Sequence, residues 1–292
     1  MTDQTADTAP PSSKPEGQAP RILVFVPMYN CADQIVRVAA QFTAALQHRF
    51  TKVMFVDNRS TDGGVERLSA AAASLDQIEV DILRNTENYG LGGSHKVAFE
   101  QALIQGFDHI VVLHGDDQAA LSDLIPFLEE GLSPDLDCLL GARFMSGSRL
   151  EGYSAFRTFG NKVFNLLFSL ATRRRLYDLG SGLNLYRVDA LKDRAWRNFP
   201  DDLTFNYYMI LASARRGWRM KFFPLSWREE DQRSNVRLFR QACKVLAILL
   251  SFVLRPRNFL AADWRNAPRD AYRADVLLRR PSKTAAHMGA CR

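Results

Sequence analysis

The stretch TKVMFVDNRSTDGG, residues 51–64, decides the fold. Its first half is a short apolar run of β-branched and aromatic residues. Its second half turns abruptly to Asp, Asn, Ser, Thr and Gly. A run of this length bounded by turn residues reads as a buried strand leading into a helix, with Ser60, Thr61 and Asp62 available as caps. The pattern repeats on both sides. Upstream, RILVFVP (21–27) is a first strand, and residues 31–48 follow with helical periodicity. Downstream come a helix over 64–75, a strand at 78–84, a helix near 92–106, and strands at 109–115 and 136–143. This β-α-β-α rhythm predicts an α/β, Rossmann-like domain with a mostly parallel central sheet and helices on both faces. In such sheets ligands gather at the carboxyl ends of the strands.

The second half is less regular. A helix is expected over 156–172, where Phe156, Phe159, Val163, Leu166, Leu167 and Leu170 form a stripe. A strand at 183–188, a helix near 202–216, a strand near 219–225 and a helix from about 235 to 254 follow. Residues 1–20 read as a flexible polar tail, 21–255 as the domain, and 256–292 as a basic tail.

Composition sets limits. The 292 residues are 47% hydrophobic with a formal net charge of +6, which fits a folded chain that favours anionic partners. Cys31, Cys138, Cys243 and Cys291 show no metal-ligand spacing and read as reduced thiols. No secretory signal opens the chain, and the run Val245–Leu254 is shorter than the roughly 20 residues a spanning helix needs. The expected location is the cytoplasm. No nucleic-acid recognition motif explains the positive charge.

Polar clusters stand at successive strand ends. VPMYN (26–30) places Pro27, Tyr29 and Asn30 after the first strand, with Asn30 also readable as a helix N-cap. Asp57 ends the second, where a carboxylate can accept from a base N–H or ribose hydroxyls; capping and direct binding stay open for Asp62. NTENYGLGGSHK (85–96) offers glycine amides at a helix N-terminus, with Lys96 one turn in. VVLHGDDQ (111–118) sets two carboxylates after a buried strand, a costly placement unless a cation or donors meet them.

In order and spacing these elements resemble family 2 inverting glycosyltransferases of the GT-A fold. The first-strand turn is matched by Pro27, Tyr29 and Asn30, the second by Val56 to Asp62, and the Asn-x-Gly-x-Gly loop by Asn88, Gly90 and Gly92. His114-Gly115-Asp116 stands where that family has Asp-x-Asp: only the second acidic position is kept, and Gln118 matches a Gln common two residues later. GARF (141–144), Arg157 and Asn161 in FRTFGNKVFN, DLGSGLNLYR (178–187) and WREEDQRSN (227–235) are similar to segments of polyprenyl- and dolichyl-phosphate sugar synthases.

The resemblance implies a metal-assisted, inverting transfer of sugar from a nucleotide sugar to a lipid-phosphate or glycan acceptor, as in polysaccharide or glycolipid biosynthesis. UDP is the favoured nucleotide and GDP the next. It implies donor binding by Pro27, Tyr29, Asn30, Asp57, Asn88, Gly92, Lys96, Asp116 and Gln118, and a Mg2+ or Mn2+ on Asp116, with His114 or Asp117 as further ligands. A hydroxyl acceptor needs a general base, for which Asp178 is the first choice and Glu229 or Glu230 the next. A phosphate acceptor needs none, and Arg143, Arg157 and Arg228, with Asn161, are then expected to hold it. Asp178 also reads as a structural support for the Ser181-Gly182 loop. Apolar helices flanked by Arg173–Arg175, Arg255 and Arg257 suit peripheral contact with the membrane face. A degenerate nucleotide-sugar-binding scaffold and a sugar-phosphate nucleotidyltransferase are the alternatives; the latter lacks its Gly-rich, Arg-containing loop after the first strand.

Overall fold

The computed structural model describes residues 19–133, 135–229 and 238–283; the tail expected before residue 19 and the motif residues 230–235 lie outside them. In chain order the strands are β1 (Ile22–Met28), β2 (Lys52–Asp57), β3 (Glu79–Asn85), β4 (His109–Leu113), β5 (Cys138–Ala142), β6 (Arg149–Glu151), β7 (Leu183–Arg187), β8 (Met220–Pro224), β9 (Ser226–Arg228) and β10 (Ala274–Arg280). The helices are α1 (Ala32–Ala40), α2 (Ala44–Gln47), α3 (Gly64–Ala71), α4 (Gly90–Ile104), α5 (Ile125–Glu129), α6 (Ala155–Thr172), α7 (Phe205–Arg215), α8 (Leu238–Leu254) and α9 (Pro256–Ala261).

One eight-stranded sheet runs β10-β3-β2-β1-β4-β7-β5-β8. Strands β3, β2, β1 and β4 are parallel, and so are β5 and β8; β7 lies antiparallel between β4 and β5. Every residue of β1 and β2 is buried, because the sheet is covered on both faces. Alternate residues feed two cores. Leu23, Phe25, Met54 and Val56 pack with Phe99 of α4 and Phe205 and Tyr208 of α7. Val24, Val26, Val53 and Phe55 pack with Ile35 of α1 and Leu68 of α3. The expected α/β architecture with helices on both faces is thus what forms.

Two expectations are corrected. The helix expected over 31–48 breaks after Ala40, and Gln41 instead uses its side chain on the loop beyond β4: it donates to Asp117 Oδ1 (2.8 Å) and accepts from the Leu121 amide (2.7 Å). The residues from 256, expected as a loose basic tail, build α9 and β10. Strand β10 pairs antiparallel with β3 and closes that sheet edge. Its basic residues find partners there, as in Arg279 Nε to Asp81 Oδ1 at 3.2 Å. A short parallel ribbon of β6 and β9 stands apart from the main sheet.

Candidate active site

The ends of β1 and β2 are tied into one rigid turn. Asn30 sits in the left-handed region (φ 47°), which Asn tolerates better than most residues. Its amide donates to Ser60 Oγ (3.0 Å) and its Oδ1 accepts from the Thr61 amide (2.9 Å). The N-cap of α1 is Cys31, not Asn30. The orphan amide of Ala32 is instead satisfied by Asp62 Oδ2 (2.8 Å), whose Oδ1 also takes the Gly64 amide (3.0 Å). Asp62 therefore has the capping role. Tyr29, half exposed, stands at the rim, following Pro27.

Asp57 is fully buried at the tip of β2. Register places it beside Arg84 of β3, and Arg84 Nε donates to Oδ2 at 2.7 Å while the Ser60 amide donates to Oδ1 at 3.0 Å. Next to it Asn58, which the motif reading passed over, is a hub: its Oδ1 accepts from Asn85 Nδ2 (2.9 Å) and the Tyr89 amide (2.8 Å), and its Nδ2 donates to Asn88 Oδ1 (2.7 Å). Asn88 in turn caps α4 through the Gly90 amide (3.0 Å).

Gly92 and Lys96, expected at the donor, point elsewhere. A Cβ on Gly92 would collide with the Pro200 carbonyl, and the Gly92 amide donates to Asp201 O at 2.7 Å. The glycine serves close packing rather than ligand approach. Lys96 is fully buried, and its ammonium donates to Asp201 Oδ1 (2.6 Å), Phe199 O (2.6 Å) and Tyr272 Oη (3.0 Å). Burial draws its pKa down to about 8 against the pull of Asp201. The first amides of α4 are thus already filled by protein acceptors.

The tip of β4 is pinned to β1 by the Gly115 amide on Pro27 O (3.1 Å) and to β7 by the His114 amide on Gly182 O (2.8 Å). Asp116 follows. Among the described residues its one hydrogen bond comes from the Gln118 amide in its own turn, at 3.3 Å. Burial raises its pKa to about 6, with the neighbouring Asp117 adding to the rise. Burial pushes the Cys31 thiol pKa up to about 12, with Asp116, Asp62 and Asp57 adding to the rise. Asp117 does not join Asp116. Its φ of 57° turns it toward α1, where it holds Arg37 Nε (2.7 Å) and Gln41. The His114 ring nitrogen Nε2 is buried with no partner among the described residues, and burial lowers the imidazole pKa to about 4.

The second half supplies arginines. Asp178 is buried and accepts four donors: the Arg143 amide (2.9 Å), Arg143 Nε (2.7 Å) and Nη2 (2.8 Å), and the Gly180 amide (3.1 Å). With both oxygens engaged it anchors Arg143, which accords with the supporting role that the sequence also offered for it. The Arg143 guanidinium lies over Trp227 (4.7 Å) and Phe144 (5.1 Å). Arg157 lies over Tyr153 (4.4 Å) and pairs with Glu229 at 2.6 Å. Asn161 Nδ2 donates to Tyr153 Oη (2.9 Å). Arg228 donates its amide to Gln118 O (2.9 Å), which brings the ribbon against the β4 turn, and its side chain stands 3.6 Å from Asp117. Trp227 opens the WREEDQRSN motif without having been assigned a role, and Tyr153 carried no motif signal. Glu230 lies outside the described residues.

Comparison with known proteins gives the family and the fold. A family model described as "Glycosyl transferase family 2" matches residues 23–195. The chain is 25% identical over 218 residues to an undecaprenyl-phosphate mannosyltransferase of Micrococcus luteus, covering 72% of this chain and 85% of that protein. It is 23% identical to a polyprenol monophosphomannose synthase of Mycolicibacterium smegmatis, over 59% of this chain and 63% of that protein, and so spans less than two thirds of its length. Among solved structures, glucosyl-3-phosphoglycerate synthase of Mycobacterium tuberculosis in complex with Mn2+, uridine diphosphate and phosphoglyceric acid superposes with a TM-score of 0.56 at 14% identity, covering 91% of each chain. That likeness is one of fold.

Proposed function

The chain belongs to glycosyl transferase family 2, and on that premise we propose that it transfers a sugar from UDP-sugar to a lipid-linked phosphate, with inversion at the anomeric carbon. The observation that carries the reading is the position of Asp116, a carboxylate without a side-chain partner among the described residues, at the β4 tip between the β1–β2 turn and the arginine ribbon.

On this reading Asp57 and the Pro27–Asn30 turn hold the nucleoside, with Tyr29 at the rim and Asn58 and Asn88 fixing the floor. Asp116 fits a hard divalent cation, Mg2+ or Mn2+. It is a poorly satisfied carboxylate under a burial penalty; among the described residues no group of three acidic, His or Cys side chains gathers there or elsewhere, so a bound diphosphate would have to complete the ion's ligands. Asp116 would hold such a cation, which when bound would supply charge stabilisation for the leaving diphosphate. Gln118 steadies the Asp116 turn through its amide. Arg143, held by Asp178, and Arg157, backed by Tyr153 and Asn161, present guanidinium groups that suit a phosphate. An ionised phosphate is its own nucleophile, so the engagement of Asp178 removes nothing the reaction requires. Relatives named for undecaprenyl-phosphate and polyprenol acceptors support the same choice.

Such an acceptor lies in a bilayer. No described helix is long and apolar enough to cross one. The outer face of α6 nevertheless exposes Phe156, Phe159, Leu166 and Leu170, and that of α8 exposes Phe239, Leu250, Val253 and Leu254. Neither 155–177 nor 238–262 contains an Asp or Glu, while together they hold nine Lys and Arg. Apolar stripes with only basic neighbours suit the interface of an anionic membrane. Sedimentation with phosphatidylglycerol vesicles at low salt, lost on Leu250→Ser with Leu254→Ser, is expected; equal recovery of both proteins with the vesicles would remove this part.

The donor is tested by thermal shift with UDP, GDP, dTDP and CDP, each with and without Mn2+, on wild type and Asp116→Ala. Stabilisation by UDP that needs both metal and Asp116 is the expected result. No stabilisation by any nucleotide in a folded sample would turn the reading toward a non-catalytic scaffold.

A further inference from the structure

Each arginine expected at the acceptor faces a carboxylate, and the three pairs differ. Arg143 and Asp178 are nearly buried and joined by three bonds, one of them from the backbone, so this pair is permanent. Arg228 stands off at 3.6 Å from an Asp117 that Arg37 and Gln41 already satisfy. Arg157 and Glu229 share a single charge-assisted bond of 2.6 Å, with side chains 24% and 13% exposed. Among the described residues Arg157 is the one partner of the Glu229 carboxylate.

The backbone builds this contact. The Glu229 amide donates to Glu151 O at 3.0 Å, continuing the β6–β9 pairing. Gly152, at φ 72°, passes so close that a Cβ there would lie 2.5 Å from Glu229 O. A side chain at 152 is thus excluded twice, by conformation and by contact. The effect is to deliver a carboxylate onto a guanidinium that also lies over the Tyr153 ring.

We propose that Glu229 is an internal stand-in for the acceptor's anion: it keeps Arg157 oriented before the acceptor arrives and must be displaced when the phosphate binds. This rests on the phosphate-acceptor reading above. Glu229 then sets a threshold. A phosphomonoester, with up to two charges and three oxygens, outcompetes one carboxylate, whereas singly charged acceptors do not. The residue is a specificity-determining one, and its removal tightens rather than weakens acceptor binding.

The test is calorimetric titration of decyl phosphate, and separately of decanoate, into full-length protein with UDP and Mn2+. The proteins are wild type, Glu229→Gln, Glu229→Ala, Arg157→Ala and the Glu229→Gln/Arg157→Ala double variant. Release from a partly exposed ion pair predicts a gain of about 5-fold in decyl phosphate affinity for both Glu229 variants, no gain in the double variant, and new decanoate binding. Two substitutions guard against one that misfolds. Wild-type binding that Arg157→Ala abolishes but neither Glu229 variant improves would overturn the stand-in while leaving the acceptor reading in place. Absence of decyl phosphate binding in every protein would overturn both.

Discussion

The proposed donor side and the proposed acceptor side of this site treat charge differently. At the ends of β1, β2 and β4, amides and the neutral side chains of Asn30, Asn58 and Asn88 knit the loops, and Asp116 is left with one long hydrogen bond. Around α6 and the β6–β9 ribbon, guanidinium groups are balanced by carboxylates before any substrate arrives. On the first side Asp57 and Asp117 are already paired with Arg84 and Arg37, and the one poorly satisfied anion, Asp116, suits a cation. A set of closed ion pairs awaits an anion that can exchange with one of them. On the proposed reading the site binds by addition on one side and by substitution on the other.

The contrast can be broken most severely at Asp116. Asp116→Ala is expected to lower kcat/KM for sugar transfer by roughly 1000-fold and to abolish metal-dependent UDP binding; full nucleotide binding in this variant would remove the donor half of the comparison. Next is the permanent pair. Arg143→Ala leaves Asp178 buried without its counter-ion and is expected to cost about 3–5 kcal/mol in urea unfolding. Wild-type stability for Asp178→Asn, together with a collapse of kcat, would reinstate Asp178 as a base. A milder probe is Asp57→Asn, expected to weaken UDP about 10-fold while leaving the acceptor KM unchanged, since its partners are Arg84 and the Ser60 amide.

The smallest effect concerns pH. Burial raises the Asp116 pKa from 3.8 to about 6, so the folded protein without metal favours the protonated acid. Stability from this group is complete below the unfolded value and declines as pH rises through about 6. Asp116→Asn should therefore melt roughly 2–4 °C higher than wild type at pH 8 without metal, and no higher at pH 3.5. A metal-loaded wild type should show the reverse dependence, with Mn2+-UDP affinity falling as pH drops through about 6.

Strands β1 to β4 were legible to within a residue or two because both faces are buried, so an apolar run ends sharply where the sheet does. The strand-end residues Asn30, Asp57 and Asp116 were legible for the same reason. Strand β10 was not. It lies on a sheet edge, mixes Asp275, Val276, Leu278 and Arg279, and its partner β3 is nearly 200 residues away. The burial of Lys96 was hidden likewise, since its counter-ion Asp201 and its hydrogen-bond acceptor Tyr272 come from the far part of the chain. Asp116 and Asp117 look equivalent as letters. Only the left-handed turn at Asp117 sends one toward the strand ends and the other to α1. The chain likewise listed Arg143, Arg157 and Asp178 without saying which would pair.

The seating of Tyr272 and β10 also bears on how the protein is made. Asp201, which accepts from the first turn of α4, is held by Tyr272 Oη (2.6 Å) and Arg269 (2.9 Å), and β3 has β10 as its outer neighbour. During vectorial synthesis the nucleotide-side strands emerge first, yet β3 keeps an open edge until residues 274–280 have cleared the ribosome. The nascent chain must pass through an interval in which its most hydrophobic strands are made but not sealed.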